Sequence, residues 1–340
     1  IVFAILPDPH YCDYGEESDF TGDEYTGSGG LGTPPRGTSS GPGGVRRPAT
    51  AKRRSIAFKA WVDAWLSANN KTLDFVWCTG DEVDSSTADA NKIATLQDFN
   101  TDMDLYGVPV YSSVGNHITA AWDGVGGASD PNISDYFDTL DLATNVGARE
   151  NEFGDDSNPE SYTFKIGTTR FINLYLPAGI VTDGDAGSQT GETPSASDHL
   201  GWLTTQLADT SMATVILSHG HLYDFNLASN PNYDAPIGGG FVLNDNGTPL
   251  NNATNVQTLI NDNGRVQACF AGHWHPDNNG GIINGTRYVG LDGAVWVGSS
   301  SVNDSPSTWT ADTSGDTSSG YIVEIVSEAV YTENGYRANI

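Results

Sequence analysis

The sequence predicts an α/β protein with a layered core, in which apolar strands alternate with amphipathic helices. Several short apolar runs end abruptly in polar or glycine-containing motifs, as buried strands do. Segments with apolar residues at helical spacing lie between these runs and predict helices. Of the 340 residues, 37% are hydrophobic and 10% are aromatic, which is sufficient for a packed core despite a formal net charge of −28.

The predicted strands are short apolar or alternating runs that stop at a turn or polar loop. In chain order they cover residues 1–6, 73–78, 108–114, 162–166, 169–176, 213–217, 266–270, 288–297, 321–326 and 329–331. The predicted helices cover residues 56–69, 88–105 and 199–209. We expect a hairpin turn at Gly167-Thr168 and a loop-rich stretch before about residue 160.

Residues 13–50 are rich in Gly, Ser, Thr, Pro and acidic residues and show almost no apolar periodicity. We interpret this segment as a long loop or lid inserted into a single domain that covers residues 1–340. A basic stretch closes the segment and is either a solvated run or an attractor for an anionic substrate. Its members are Arg36, Arg46, Arg47, Lys52, Arg53 and Arg54.

The acidic balance and the cysteine content limit the classes of function. A net charge of −28 and a pI near 4.2 exclude nucleic-acid binding as a main role, because phosphate backbones are repelled. No run of about 18 apolar residues predicts a membrane span. Three cysteines do not make a disulfide scaffold, and Cys78 and Cys269 lie in apolar runs typical of buried thiols. A strong acidic excess is typical of proteins exposed to salt water, so we expect a secreted or periplasmic protein from a saline setting.

Polar residues that can bind metal follow the predicted strands. They are Asp8, His10, Asp81, Asn116, His117, His219, His273 and His275. Ligands of layered α/β folds bind beyond the carboxyl ends of strands, so these side chains are expected to meet. Carboxylate, imidazole and amide groups suit Mn, Zn or Fe. Eight candidates are too many for one tetrahedral ion, which favours two ions that share a carboxylate and clamp a phosphoryl group.

These residues occur in motifs that resemble those of the calcineurin-like metallophosphoesterases. The motifs are Asp8-Pro9-His10, Gly80-Asp81, Gly115-Asn116-His117, His219 and Gly272-His273-Trp274-His275, in this order. The resemblance covers nearly the whole chain. It implies a four-layer α/β/β/α sandwich with two mixed sheets and a dinuclear centre of divalent or trivalent ions.

The resemblance also implies roles for individual residues. Asp81 would bridge the two ions, while a metal-bridging hydroxide would attack phosphorus in line. His117 would act on the leaving group as general acid or charge stabiliser, and Asp84 would orient it. The remaining ligands would be Asp8, His10 and His275 for the first ion, and Asn116, His219 and His273 for the second.

Within the family, the sequence is similar to the ADP-ribose/CDP-alcohol diphosphatase-like branch in residues 201–203, 215–219 and 290–295. It departs from common family patterns at Ile118, His221 and Trp274. It departs from the branch at His10, where glutamine is frequent. These departures bear on the choice of substrate, since none of them removes a ligand.

The branch likeness favours hydrolysis of phosphodiester or pyrophosphate bonds in small molecules or nucleotides. A phosphomonoesterase that scavenges extracellular phosphate is one alternative, and a non-catalytic metal-binding or interaction protein is another. Tyr11, His221 and Trp274 lie in or beside the motif loops and are candidates for substrate contact, with loop or core packing as the alternative. The sequence does not predict the oligomeric state.

Overall fold

Five helices and twelve strands make up the regular structure of the described part of the chain. The computed structural model describes residues 1–11, 48–83, 87, 89–115, 117–118, 131–155, 158–175, 199–220, 222, 253–272, 280–291, 319–325 and 338–339. In chain order the elements are β1 Val2–Leu6, α1 Pro48–Asn69, β2 Phe75–Cys78, α2 Asp89–Asp104, β3 Val110–Ser112, α3 Ile133–Leu140, β4 Glu150–Asp155, β5 Asn158–Ile166, β6 Thr169–Leu174, α4 His199–Ala208, β7 Ala213–Ser218, α5 Ala253–Asp262, β8 Val266–Ala271, β9 Gly280–Ile283, β10 Thr286–Gly290, β11 Ser319–Glu324 and β12 Ala338–Asn339.

The strands form two mixed sheets. The first sheet has the order β12-β11-β1-β2-β3, with β1, β2 and β3 parallel and β11 antiparallel to both of its neighbours. The second has the order β4-β5-β6-β7-β8-β10-β9, with a parallel centre from β6 to β10 and antiparallel edges. The prediction of two mixed sheets is therefore confirmed.

The inner faces of the two sheets meet in an aromatic layer. Alternation along β1 directs Phe3 towards this layer, where its ring stacks on Phe75 at a centroid distance of 4.6 Å. Phe75 in turn meets Phe164 and Phe171 of the second sheet edge-on, at 5.3 and 4.9 Å. Edge-to-face contacts stabilise such pairs beyond the burial of their area. The layer therefore holds the two sheets face to face.

Helices cover both outer faces, so the predicted four-layer α/β/β/α arrangement is confirmed. Helices α1, α2 and α3 pack on the first sheet, and α4 and α5 pack on the second. The alternate residues of β1 face the first helix layer, which leaves both faces of the strand buried. None of the described helices is long and apolar enough to cross a membrane.

The loop-rich prediction before residue 160 is wrong, because this stretch contains α3 and β4. Asn132 caps α3, and its side chain accepts from the backbone N–H of Asp135 in a capping box. Helix α3 buries Tyr136, Phe137 and Leu140 against the first sheet, which stabilises a helix of only 8 residues.

Other boundaries also differ from the sequence prediction. Helix α5 and strands β9 and β12 were not predicted. Helix α1 begins at Pro48, so the last residues of the predicted insertion belong to a helix, together with Lys52, Arg53 and Arg54. Residues 13–47, with the remaining arginines of the basic stretch, lie outside the described residues, as does the predicted strand at 329–331.

Phe75→Ala should test the aromatic layer. The ring is fully buried, so we expect a loss of about 3–5 kcal/mol in the free energy of unfolding, measured by urea denaturation. Leu142 is 75% exposed, and Leu142→Ala should change this free energy by less than about 0.5 kcal/mol. Equal losses in the two variants would contradict the assigned core.

Candidate metal centre

The loops that follow β1 and β2 lie side by side and carry the first candidate ligands. The backbone N–H of His10 donates to the carbonyl of Asp81 at 2.9 Å, and that of Tyr11 donates to the carbonyl of Glu82 at 2.8 Å. Three residues here adopt left-handed backbone conformations, with φ of 41° at Asp8, 48° at His10 and 53° at Asp81. Such conformations cost roughly 1–3 kcal/mol each outside glycine and persist only where surrounding contacts fix them. The fold therefore holds these side chains at a local energetic cost.

The carboxylate of Asp81 lies at the centre of the cluster. Its Oδ1 accepts a hydrogen bond of 2.8 Å from the backbone N–H of His117. Its Oδ2 faces three imidazole Nε2 atoms, which belong to His10 at 3.9 Å, His117 at 3.9 Å and His219 at 3.5 Å. These separations are longer than ordinary hydrogen bonds. The three rings therefore converge on one carboxylate oxygen without directly bonding to it.

His219, at the end of β7, brings the second sheet into the site. Its Nδ1 lies 3.0 Å from the carbonyl of Thr79 and 3.3 Å from Oδ1 of Asp8. Because a carbonyl only accepts, this contact requires the proton on Nδ1 and directs the lone pair of a neutral imidazole to Nε2. That Nε2 faces the Oδ2 of Asp81. Two electron-rich atoms at this spacing leave a place for a shared cation.

Burial and mutual charge shift the ionisation of this pair. Burial raises the pKa of Asp81 to about 7; the nearby charge of His219 opposes the rise and that of Asp8 adds to it. Burial alone would lower the pKa of His219, but the charge of Asp81 and the hydrogen bond and charge of Asp8 outweigh it and raise the pKa to about 9. A divalent cation would favour the ionised carboxylate and the neutral imidazole, so metal uptake is expected to release protons.

The donor set fits metal ions. One group consists of His10, Asp81 and His117, and another of Asp8, Asp81 and His219; in each, the ligand atoms lie within 4.8 Å of one another. Ligands about 2.0–2.2 Å from a shared ion lie roughly 3–3.5 Å apart, which matches the contacts of His219 and is slightly shorter than those of His10 and His117. Asp81 belongs to both groups, as a bridging carboxylate would.

The two groups differ from the sequence-based division between the ions. That division placed Asp8 with His10 on one ion and His219 on the other, whereas the structure groups Asp8 with His219. It also kept His117 off the metal, although its Nε2 is as close to Asp81 as that of His10. These ligand assignments therefore stay predictions. So do the roles of Asp84, Asn116, His221, His273, Trp274 and His275, which lie outside the described residues.

Tyr11 does not fit its predicted place as a substrate contact. Its side chain is 3% exposed, its hydroxyl donates to Asp102 at 2.8 Å, and its ring packs edge-on against Phe99. Burial raises the pKa of this phenol well above its ordinary value. Core packing, the alternative considered for this residue, describes its contacts.

Two glycines allow the loops to approach the candidate ligands. A Cβ atom at Gly115 would overlap the Oδ1 of Asp81, and one at Gly272 would lie 2.7 Å from the Oδ1 of Asp8. Sequence reasoning used these glycines only as motif markers. It also assigned no role to Thr79, which contacts Asp8 and His219, because a threonine before Gly-Asp carries no signal of its own.

The comparison with known families agrees with this architecture. The family described as calcineurin-like phosphoesterase matches residues 2–277. The chain therefore belongs to this family, and it is a hydrolase acting on phosphoester bonds. A search among curated proteins finds no match.

Several solved structures resemble this chain at low sequence identity. A dimetal phosphatase from Danio rerio is 14% identical, with a TM-score of 0.50 over 87% of this chain and 88% of that chain. A hypothetical protein from Thermus thermophilus is 11% identical, with a TM-score of 0.44 over 97% and 96% of the two chains. A candidate 5′-nucleotidase from Staphylococcus aureus is 12% identical, with a TM-score of 0.46 over 97% of this chain and 52% of that chain.

Gly115→Ala should disturb the metal centre through Asp81. We expect the affinity for Mn²⁺, measured by equilibrium dialysis, to fall by about 10–100-fold, as when a group that orients a ligand is lost. Gly320→Ala is the matched control, because a Cβ there would overlap the ring of Phe58 instead. The control should lose stability yet keep its Mn²⁺ affinity. Unchanged affinity in folded Gly115→Ala would refute the close approach.

Proposed function

We propose that this protein hydrolyses phosphodiester or pyrophosphate bonds of small molecules or nucleotides at a dinuclear metal centre. The observation that carries the proposal is the position of the Asp81 Oδ2, which faces the Nε2 atoms of His10 at 3.9 Å and His219 at 3.5 Å. Two ions bound there would polarise the phosphoryl oxygens and lower the pKa of a water molecule for in-line attack. Imidazole and carboxylate ligands favour Mn, Zn or Fe.

We assign Asp81 to both ions, because its Oδ2 faces both His10 and His219, which belong to different groups of candidate ligands. Asp8, His10 and His219 supply further ligand atoms from the described residues, and all three side chains are buried. The motif residues Asn116, His273 and His275 complete the proposed set.

His117 is the group that we assign to the leaving oxygen. Its side chain is 13% exposed, whereas that of His10 is 1% exposed, so His117 is the more accessible of the two to a substrate. Its ring stands edge-on to that of His10 at a centroid distance of 4.6 Å, and its backbone N–H is held by Asp81. A proton held on its Nε2 would pass to the leaving oxygen as the P–O bond breaks.

The choice of bond rests on the likeness to the ADP-ribose/CDP-alcohol diphosphatase-like branch. Gly201-Trp202-Leu203 lies in α4, where Trp202 is buried and its indole N–H donates to the carbonyl of Asn151 at 3.0 Å. Because Trp202 packs in the core, the likeness to the branch at residues 201–203 supports a shared scaffold more directly than a shared substrate. Turnover of diesters against monoesters therefore decides between the proposed activity and a phosphomonoesterase.

Asp81→Asn should remove the shared ligand. We expect Mn²⁺ affinity to fall by at least about 10-fold and turnover of an aryl phosphodiester to be lost, as measured by equilibrium dialysis and steady-state kinetics. Asp102→Asn is the control, because Asp102 is a buried acid that accepts from Tyr11 and belongs to neither group of candidate ligands. Near-normal turnover in Asp81→Asn would end the proposal, and a wild-type protein with metal but no turnover would favour the non-catalytic alternative.

His117→Asn should separate proton donation from metal binding. We expect the variant to keep its metal and to lose about 10²–10⁴-fold in kcat, with the largest loss for esters of poorly acidic alcohols. Kinetics on a series of leaving groups, with metal content measured in parallel, makes the distinction. An equal loss for every leaving group would exclude the acid role, and loss of metal would make His117 a ligand.

A further inference from the structure

We propose that Thr79 is a positioning residue that fixes both Asp8 and His219 for metal binding. The proposal rests on the dinuclear centre proposed above and concerns a residue that does not itself bind metal. Thr79 follows β2 immediately before Gly80-Asp81, and its side chain is fully buried.

The hydroxyl of Thr79 makes two hydrogen bonds to the same residue. It accepts from the backbone N–H of Asp8 at 2.8 Å and donates to the Oδ1 of Asp8 at 2.6 Å. A hydroxyl has a single proton to donate, so its donor capacity is fully used on this carboxylate. The first contact fixes the backbone of Asp8, which has a φ of 41°, and the second fixes the orientation of its carboxylate.

The carbonyl of Thr79 orients a second candidate ligand. It accepts from Nδ1 of His219 at 3.0 Å, which leaves Nε2 directed at Asp81. Asp8 follows β1 of the first sheet, whereas His219 follows β7 of the second. A single residue therefore couples the ligands of the two sheets.

The residue that follows β8 packs against the side chain of Thr79. A Cβ atom at Gly272, directly after β8, would lie 2.5 Å from the Oγ1 of Thr79 and 2.7 Å from the Oδ1 of Asp8. The backbone of Gly272 thus packs closely over the hydrogen-bonded pair. This close packing restricts the orientation of the Thr79 hydroxyl.

Thr79→Val removes the hydroxyl at nearly constant volume, and Thr79→Ser restores it. We expect Thr79→Val to weaken binding of Mn²⁺ alone by about 10–100-fold, measured by electron paramagnetic resonance of free and bound Mn²⁺. The spectrum of the bound ion should also change, which general destabilisation would not produce. Thr79→Ser should return both the affinity and the spectrum to those of the wild type.

Thr163→Val is the matched control. Thr163 is a buried threonine on β5 whose hydroxyl accepts from Asn151 at 2.8 Å and contacts the carbonyl of Glu150 at 3.2 Å. The Thr163→Val substitution should lower the free energy of unfolding of the metal-free protein without altering Mn²⁺ affinity. A fall in affinity equal to that of Thr79→Val would show that the effect is general.

The outcomes separate the two proposals. Normal Mn²⁺ affinity in folded Thr79→Val would overturn the role of the Thr79 hydroxyl while the dinuclear centre stands. A wild-type protein that binds no Mn²⁺, Zn²⁺ or Fe²⁺ would overturn both. Where Thr79→Val does not fold, Thr79→Ser decides: wild-type affinity supports the proposal, and a loss of about 10-fold or more refutes it.

Discussion

The buried carboxylate of Asp81 is the group around which the site is organised. A carboxylate removed from water is costly unless donors or positive charge surround it. One oxygen is stabilised by the backbone N–H of His117, while imidazole rings converge on the other. The left-handed backbone of Asp81 and the absence of a side chain at Gly115 both serve this arrangement. Gly115 and His117 thus both contribute to the surroundings that the buried carboxylate of Asp81 requires.

This arrangement depends in turn on the packing of the two sheets. The aromatic layer keeps the inner faces of β2 and β6 together, with Phe75 in contact with Phe171. Close to the site, the indole N–H of Trp77 donates to the hydroxyl of Ser113 at 3.0 Å, and this hydroxyl donates to Asn173 on β6. Apolar contacts supply most of the stabilisation, whereas this buried polar chain favours one register between the sheets.

Strand ends and motif order made most of the fold and the family predictable, because a buried strand leaves a continuous apolar run in the sequence. Helix α3 escaped prediction even though the Asn132-x-x-Asp135 pattern was there to find, because the surrounding polar residues obscured its apolar face. Among the side chains of helix α5 that the structure describes, Val256 and Ile260 are the only buried apolar ones, which is a weak signal. Spacing along the chain also cannot tell which atoms meet across strands. The sequence therefore left substrate contact and core packing as alternatives for Tyr11, which is buried, and did not indicate the contacts of Thr79.

Candidate ligands come from both sheets, so a bound ion would also connect the two sheets. Asp8 and Asp81 follow strands of the first sheet, and His219 follows a strand of the second. An ion held among them would act as a clasp across the aromatic layer, because parting the sheets would also pull its ligands apart. Ions that bind only the folded chain add their binding free energy to its stability. In such a protein, loss of the ions would weaken the association of the two sheets, and separation of the sheets would release the ions.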